Sequence, residues 1–312
     1  MAKVLLLGGL GGHSGQAFAI AKFLRDERIA FDVATFPGTE KRFEGLAERI
    51  MTFPQLLMPP KRRPNPRGIL SLYKILTLKK YDIVIANGSN FAVLPSLWEK
   101  LRGGTLINIE TIDAVVVPNK ATKFLSKFAN FTVIHWEELK KHYPKAMVSG
   151  PIYEPPLYEP EDEGYVLVTA GTLGYEELFL EAIRQLSKNF KLVIQTGRVN
   201  PEKFKRDGVR AFRYVEDFHK VLAKAKAVVG VFPGTTPATA TLAYNKPTVI
   251  VPNLKLRSAA SLENMEPFAE KVGAVIGDLN DLEGALEKAF RTRRPRYENG
   301  AKKVVQLVLE VL

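Results

Sequence analysis

A short apolar run, a glycine turn and a helical stretch open this chain, and the same unit then recurs almost to its end. That repetition constrains the fold more than any other feature, because strands alternating with helices build a parallel sheet covered on both faces. Residues 3–7 read as a buried strand, residues 8–12 as a glycine turn, and residues 14–24 as a helix with Ala17, Ile20, Ala21 and Leu24 on one face. Further strands are predicted at 32–36, 82–86, 105–109 and 131–134, with helices at 91–101, 121–129 and 137–143. The expected class is α/β, doubly wound.

The pattern breaks once. Residues 149–164 carry Pro151, Pro155, Pro156 and Pro160, which exclude helix and sheet interior and read as a semi-rigid linker. It then restarts, with a strand at 165–169, a turn at 171–174, a helix at 176–186 and a strand at 191–195. Residues 227–231, 233–236, 239–244 and 248–251 repeat the unit. A length of 312 residues also favours two domains. The expectation is two Rossmann-like domains, 1–150 and 151–312, facing a central cleft, with the last helix (297–312) packing back on the first.

Charge separates the halves. The chain carries 45 Lys+Arg against 33 Asp+Glu, a net +12, and residues 1–150 hold 22 of the basic residues against only 12 acidic ones. A polyanionic partner therefore belongs to the first half. There, Lys61-Arg62-Arg63 and Arg67 precede an apolar series, Ile69, Leu70, Leu72, Tyr73, Ile75, Leu76 and Leu78, interleaved with Lys74, Lys79 and Lys80. A basic loop leading into an amphipathic helix suits an anionic membrane surface or a lipid pyrophosphate. The plainer reading is a solvated loop and an ordinary surface helix. No aromatic stacking series accompanies the charge, so nucleic acid is not expected. Cysteine is absent, which excludes a thiolate nucleophile and zinc–thiolate sites. With no signal peptide and no apolar run near the roughly 20 residues that span a bilayer, a cytoplasmic chain is expected.

Candidate chemistry gathers where strands end. Gly8-Gly9-Leu10-Gly11-Gly12-His13-Ser14 closes the first strand and opens the first helix, where backbone N–H groups can meet an anion. His13 adds an imidazole able to act as a base near neutral pH, although a phosphate contact or helix cap is also compatible. Asn87-Gly88-Ser89-Asn90 ends another strand. Glu110, Thr111 and Asp113 follow the strand at 105–109, and a carboxylate there could orient an imidazole, accept a hydroxyl proton or cap the next helix. In the second half, Thr169-Ala170-Gly171-Thr172 and Phe232-Pro233-Gly234-Thr235-Thr236-Pro237 are hydroxyl-rich turns able to donate to phosphate oxygens.

On these residues the chain resembles a single-chain fusion of the two subunits of the eukaryotic transferase that adds the second N-acetylglucosamine (GlcNAc) to dolichyl-pyrophosphate-GlcNAc. It is similar, more distantly, to the bacterial GlcNAc transferase of peptidoglycan lipid synthesis. Gly11-Gly12-His13-Ser14 resembles the acceptor subunit's Gly-Gly-His-Thr, and Ile109-Glu110-Thr111 its Ile-Glu-Ser. His135-Trp136, Leu139, Tyr143-Pro144-Lys145-Ala146 and Gly150 match its Gln-Trp, Leu, Tyr-Pro-Lys-Ala and Gly. In the second half the similarity runs through residues 168–172, Glu176-Glu177-Leu178, Gln195-Thr196-Gly197-Arg198 and Gly234 to Pro247. Departures are Ser89-Asn90 for Pro-Gly, Val231-Phe232-Pro233-Gly234 for Ser-His-Ala-Gly, Ala240 for the helix Glu, and Glu263-Asn264 near the position of a His-Gln pair.

The resemblance implies the GT-B fold and an inverting, metal-independent transfer without cofactor. It implies a UDP-sugar donor, a polyprenyl-pyrophosphate sugar acceptor, and work at the cytoplasmic face of an anionic membrane. His13 would be the base, oriented or replaced by Glu110. Gly11, Gly12, Ser14, Arg62, Arg63, Asn87 and Gly88 would hold the acceptor and its pyrophosphate. Thr169, Gly171, Thr172, Gln195, Gly197, Arg198, Gly234, Thr235, Thr236 and Asn264 would hold the donor, with helix N-termini at Thr172 and Thr235 stabilising the leaving diphosphate. Two alternatives stand beside it: a UDP-sugar 2-epimerase of the same fold, and a non-catalytic lipid- or nucleotide-binding scaffold.

Overall fold

The computed structural model describes residues 3–54, 57–58, 63–64, 68–254 and 260–312, which form two compact units: Met1–Glu154 with Glu298–Leu312, and Pro155–Tyr297. In the first unit, β1 (Val4–Leu7), α1 (Gly12–Asp26), β2 (Phe31–Thr35) and β3 (Arg49–Thr52) are followed by a short antiparallel pair, β4 (Leu57–Met58) and β5 (Arg63–Pro64). Then come α2 (Gly68–Leu76), β6 (Ile83–Asn87), α3 (Asn90–Leu101), β7 (Thr105–Ile109), α4 (Lys120–Leu125), β8 (Phe131–Ile134) and β9 (Met147–Val148). Among the described residues these form a seven-stranded parallel sheet in the order β3-β2-β1-β6-β7-β8-β9.

Sequence pattern explains the layers. The alternating residues Val4, Leu6, Ile83 and Ile85 bury one sheet face under Ala17, Ile20 and Leu24 of α1, while Leu5, Leu7 and Val84 bury the other under Ile75, Phe91 and Leu125. The C-terminal helix shares the first layer: Val304, Val305 and Val308 are buried with Ala17 and Ile20. Each such valine contributes on the order of 2 kcal/mol. Its approach is fixed by Asn299, whose Nδ2 donates to the Tyr153 carbonyl at 2.7 Å and whose Oδ1 accepts from Ala301 N at 3.1 Å.

The second unit runs β10 (Tyr165–Thr169), α5 (Glu176–Leu186), β11 (Lys191–Gln195), β12 (Val209–Phe212), α6 (Phe218–Lys224), β13 (Ala227–Phe232), α7 (Thr236–Ala238) and β14 (Thr248–Pro252). α8 (Met265–Val272), β15 (Val275–Ile276) and α9 (Leu282–Arg291) complete it, and α10 (Ala301–Val311) is the helix that returns to the first unit. The described strands form a parallel sheet in the order β12-β11-β10-β13-β14-β15. Both units are thus doubly wound. Among the described residues, no helix is long and apolar enough to cross a membrane.

Three local expectations change. Residues 137–143 make a 3₁₀ turn (Glu137–Lys141), and the segment 239–244 is a π-helical turn (Thr239–Ala243) continuing α7. There, Thr241 Oγ1 donates back to the Pro237 carbonyl at 3.0 Å, a local bond that competes with regular helix. The proline-rich stretch is not free: Gly300 N donates to Pro151 O at 2.8 Å in the first unit, while Glu161 N and Glu163 N donate to Ala223 O and Lys224 O, both at 2.9 Å, in the second.

Candidate active site

In each sheet one adjacent strand pair sends its following helices to opposite sides, β1 with β6 and β10 with β13, and ligands of such sheets bind beyond the carboxyl ends at that point. In the first unit the crevice lies between residues 8–13 and Asn87-Gly88-Ser89. Gly11 holds φ +63 and ψ −127 at the head of α1, backbone closed to side-chain-bearing residues. This puts Gly12 in the helix and His13 in its first turn. A Cβ on Gly9 would lie 2.9 Å from His13 Cβ and 3.1 Å from Ser89 Oγ, and one on Gly88 would lie 2.5 Å from Thr111 Cγ2. The three loops therefore pack shoulder to shoulder, and His13 stands between them, half-buried.

Burial lowers the pKa of His13, opposed by the Asp113 carboxylate and the Asn87 carbonyl. Two buried polar atoms beside it have no partner among the described residues: Ser14 Oγ and Asn87 Oδ1, although Asn87 Nδ2 donates to Leu7 O at 3.0 Å. An unmatched buried group costs about 1–3 kcal/mol, so two in one crevice mark a site shaped for something other than stability.

Glu110 is placed otherwise than expected. It is wholly buried, its Oε1 accepts from Thr111 N at 2.8 Å, and its Oε2 accepts from Asn119 N at 3.1 Å and from Tyr143 Oη at 2.9 Å. Burial pushes its pKa up to about 7 against those hydrogen bonds. None of these partners is His13; the side chain folds into its own loop. The same loop is pinned at its backbone. Gln16 Nε2 donates to Glu110 O at 2.8 Å, Trp136 Nε1 donates to Ile112 O at 2.8 Å, and His135 lies with Nε2 2.8 Å from Glu110 O and Nδ1 3.0 Å from Gly150 O. Sequence reasoning gave no role to Gln16, His135, Trp136 or Tyr143; the last three stand in the run that resembles the acceptor subunit.

Arg62 lies outside the described residues, and of Arg63 only the backbone, in β5, is described. Helix α2 exposes Leu72, Tyr73 and Leu76 while Ser71, Ile75 and the following Leu78 are buried. Its lysine and one beyond its end are engaged rather than free: Lys74 Nζ donates to Thr52 O at 2.7 Å, and Lys79 pairs with Asp32 at 2.7 Å. Between α2 and α3 a small apolar depression of about 10 Å³, room for a single water, is lined by Phe53, Ser71, Ile75, Asn90, Phe91 and Leu94 beside the Asn87–Ser89 turn.

In the second unit Gly171-Thr172 follows β10 and Gln195–Arg198 follows β11. Arg198 N and Tyr214 Oη both donate to Thr172 O, at 3.1 and 3.2 Å. Gly197 holds φ +62, and a Cβ there would lie 2.4 Å from Gly171 O. These two turns are locked together, with Thr169 buried beneath, Gln195 Oε1 accepting from Val215 N at 3.3 Å, and the Arg198 side chain exposed. Thr172 is not at a helix N-terminus: α5 starts at Glu176, and Glu176 and Glu177 fill its first turn, a poor place for an anion. Gly234, Thr235 and Thr236 stand half-buried beyond β13, with Thr235 the residue before α7. Phe232 is fully buried with its ring 6.0 Å from Phe268, and Ala240 is a core residue packed with Leu222 and Tyr244. Asn264 is buried at the head of α8.

The glycosyltransferase family 28 C-terminal domain matches residues 165–305. The UDP-N-acetylglucosamine–N-acetylmuramyl-(pentapeptide) pyrophosphoryl-undecaprenol N-acetylglucosamine transferase of Flavobacterium psychrophilum is 22% identical over 98% of this chain and 93% of its own. Among solved structures, Acinetobacter baumannii MurG superposes with TM-score 0.63 at 18% identity, covering 99% of this chain and all of that one. Its fold is GT-B. A UDP-N-acetylglucosamine 2-epimerase superposes equally well, with TM-score 0.64 at 12% identity over 99% of this chain and 96% of its own. The fold thus accommodates transfer and epimerisation alike.

Proposed function

We propose that this chain is an inverting glycosyltransferase that moves GlcNAc from UDP-GlcNAc to a sugar carried on a polyprenyl pyrophosphate. The observation that carries the reading is a coincidence of place: the family 28 match and the locked hydroxyl-rich turns fall in the second unit, and His13 occupies the matching crevice of the first. The relatives supply the transfer chemistry in their names, GlcNAc to a lipid-linked pyrophosphoryl acceptor.

In the proposed reaction the acceptor sugar hydroxyl lies beside His13. Its oxygen attacks the anomeric carbon of GlcNAc from the face opposite UDP, the bond from that carbon to the β-phosphate oxygen breaks, and the hydroxyl proton passes to the imidazole. The negative charge left on UDP is met by hydroxyl and backbone donors of Gly171-Thr172 and Gly234-Thr235-Thr236. Ala240, held in the core, supplies no ribose contact, so that role falls to other residues of the second unit, with Asn264 the candidate at the head of α8.

The acceptor is read as the dolichol-type GlcNAc lipid of N-glycosylation rather than a muramyl-pentapeptide lipid. What supports this is that His135, Trp136 and Tyr143, from the run resembling the dolichol-pathway subunit, are the side chains that brace the loop beside His13. Exposed Leu72, Tyr73 and Leu76, with Phe124, Phe128 and Phe131 among Lys120, Lys123 and Lys127, suit contact with an anionic membrane at the cytoplasmic face.

The test is incubation of purified protein with UDP-GlcNAc and either GlcNAc-pyrophosphoryl or muramyl-pentapeptide-pyrophosphoryl polyprenol. A disaccharide lipid from the first is expected. Product from the second alone would replace the dolichol-type acceptor, and conversion of UDP-GlcNAc without acceptor would favour the epimerase whose fold it shares.

A further inference from the structure

In the second unit an aromatic side chain lies across the carboxyl edge of the sheet with its far end tied down. Tyr214 follows β12, its phenol donates to the Thr172 carbonyl at 3.2 Å, and Thr172 follows β10. Strand β11 stands between those two strands, so the side chain bridges the loop that follows β11. Gly197 is in that loop and has no side chain to obstruct it. Even so, Tyr214 is 52% exposed: its hydroxyl is engaged while much of the ring stays open to solvent. An exposed ring fixed at both ends is a flat apolar surface that has already lost its rotamer freedom.

The loop that carries it is held as firmly. Thr196 N donates to Phe212 O at 2.7 Å and Gly197 N to Arg213 O at 2.9 Å. Val215 N donates at 3.3 Å to Oε1 of Gln195, the last residue of β11. That bond sets which way the Gln195 amide is turned, since a backbone N–H needs an oxygen opposite it. Gln195 is only partly buried, and its Nε2 makes no hydrogen bond among the described residues. A flat ring and a pinned amide with a spare donor therefore belong to one corner of the unit, because the residue that Gln195 grips is the chain neighbour of Tyr214. A planar heterocycle with a carbonyl on its edge satisfies both: its face stacks and its oxygen accepts.

We propose that Tyr214 and Gln195 form the seat of the donor's base. Tyr214 stacks on the uracil ring, and Gln195 Nε2 donates to the ring carbonyl at the position where cytosine carries an amine. This deepens the UDP-sugar reading above and rests on it. The diphosphate is left to the hydroxyl-rich turns, so base and phosphate are held by different residues and can be separated by experiment.

The experiment is calorimetry of the full chain with UDP, CDP and inorganic pyrophosphate. Wild type is expected to prefer UDP to CDP by about 10-fold, since an amine facing Nε2 sets donor against donor. Gln195→Glu keeps an oxygen for Val215 N and replaces the spare donor by an acceptor, and is expected to cancel or reverse that preference. The two nucleotides carry the same charge, so the added carboxylate cancels in the ratio. Tyr214→Ala is expected to weaken both nucleotides by about 10-fold or more and to leave pyrophosphate unmoved, whereas Tyr214→Phe, which keeps the ring, recovers most of the loss. In Tyr214→Trp, UDP is expected to quench the indole fluorescence and pyrophosphate to leave it unchanged. Pyrophosphate weakened in step with UDP by Tyr214→Ala would make the ring a brace of the turns and overturn the proposal. So would Tyr214→Phe as weak as Tyr214→Ala, or a UDP-to-CDP ratio that Gln195→Glu leaves in place. If Gln195→Glu does not fold, Gln195→Met, which donates nothing, must still bring the two affinities together. A wild type that binds pyrophosphate but both nucleotides no better sinks this assignment alone; one that binds none of the three removes the donor site and the assignment with it.

Discussion

The Tyr143 phenol donates a 2.9 Å hydrogen bond to Oε2 of Glu110, a residue 33 positions earlier, inside the first unit. The bond closes the loop after β7 against the 3₁₀ turn after β8, and both residues are buried. Removing it leaves a buried carboxylate short of one donor. Tyr143→Phe is therefore expected to cost about 1–3 kcal/mol in urea unfolding and to raise the acceptor KM more than it lowers kcat. An unchanged unfolding midpoint would mean the phenol does not brace the loop.

Glu110 also predicts a pH dependence of stability. Its folded pKa of about 7 stands above an unfolded value of about 4.3, so the folded chain binds the proton more tightly. The contribution is complete below the unfolded pKa and is lost as pH rises towards the folded one, after which it is flat. Up to about 3 kcal/mol is involved. Unfolding free energies of wild type and Glu110→Gln, measured between about pH 5 and about pH 8, are expected to converge at the acid end and separate at neutral pH, with the Gln variant the flatter. Parallel profiles would place the titration elsewhere.

Gly197 in the second unit has no room for a side chain, with Gly171 O only 2.4 Å from the position of a Cβ and φ at +62. Gly197→Ala is expected to cost about 1–3 kcal/mol and to push the Gly171-Thr172 turn outward. Calorimetry with UDP would then show at least about 10-fold weaker binding, the equivalent of about 1.4 kcal/mol. Wild-type affinity in a destabilised variant would remove this turn from the donor site.

His13→Gln is expected to lower kcat by about 10²–10⁴-fold, the range for loss of a general base. UDP affinity should stay at the wild-type level, because the imidazole belongs to the first unit. Near-normal turnover would assign proton removal to another group.

For membrane contact, Tyr73→Ser with Leu76→Ser removes two of the three exposed apolar side chains among the described residues of α2. Co-sedimentation with vesicles containing anionic lipid is expected to fall severalfold and to weaken further with salt. Equal sedimentation of wild type and variant would move the contact to the Phe124–Phe131 surface or abolish it.

Several features were legible from periodicity and turn chemistry alone. The strands at 105–109, 131–134, 165–169 and 191–195 and the helix at 176–186 stand where the apolar pattern puts them, because buried parallel strands are continuous apolar runs and α5 has a clean helical face. The short edge strands β3, β9 and β15 carried too little pattern to be read, since half-exposed edges need no apolar run. Segment 137–143 misled because helical spacing over one turn says nothing about whether Trp136 and Tyr143 will be drawn off to bond a neighbouring loop.

Local sequence by itself determined the α/β class, the doubly wound alternation, and the glycine turns at the strand ends. These are properties of neighbouring residues: side-chain periodicity, and φ values open only to glycine. Which carboxylate is saturated with hydrogen bonds was decided by tertiary structure. Glu110 and Asp113 lie three residues apart on one loop, equivalent as sequence. Glu110 is saturated by Thr111, Asn119 and Tyr143, whereas Asp113 accepts no hydrogen bond among the described residues. Hydrogen-bond partners and local dielectric come from packing across the sheet, and they set the chemistry of two otherwise like residues.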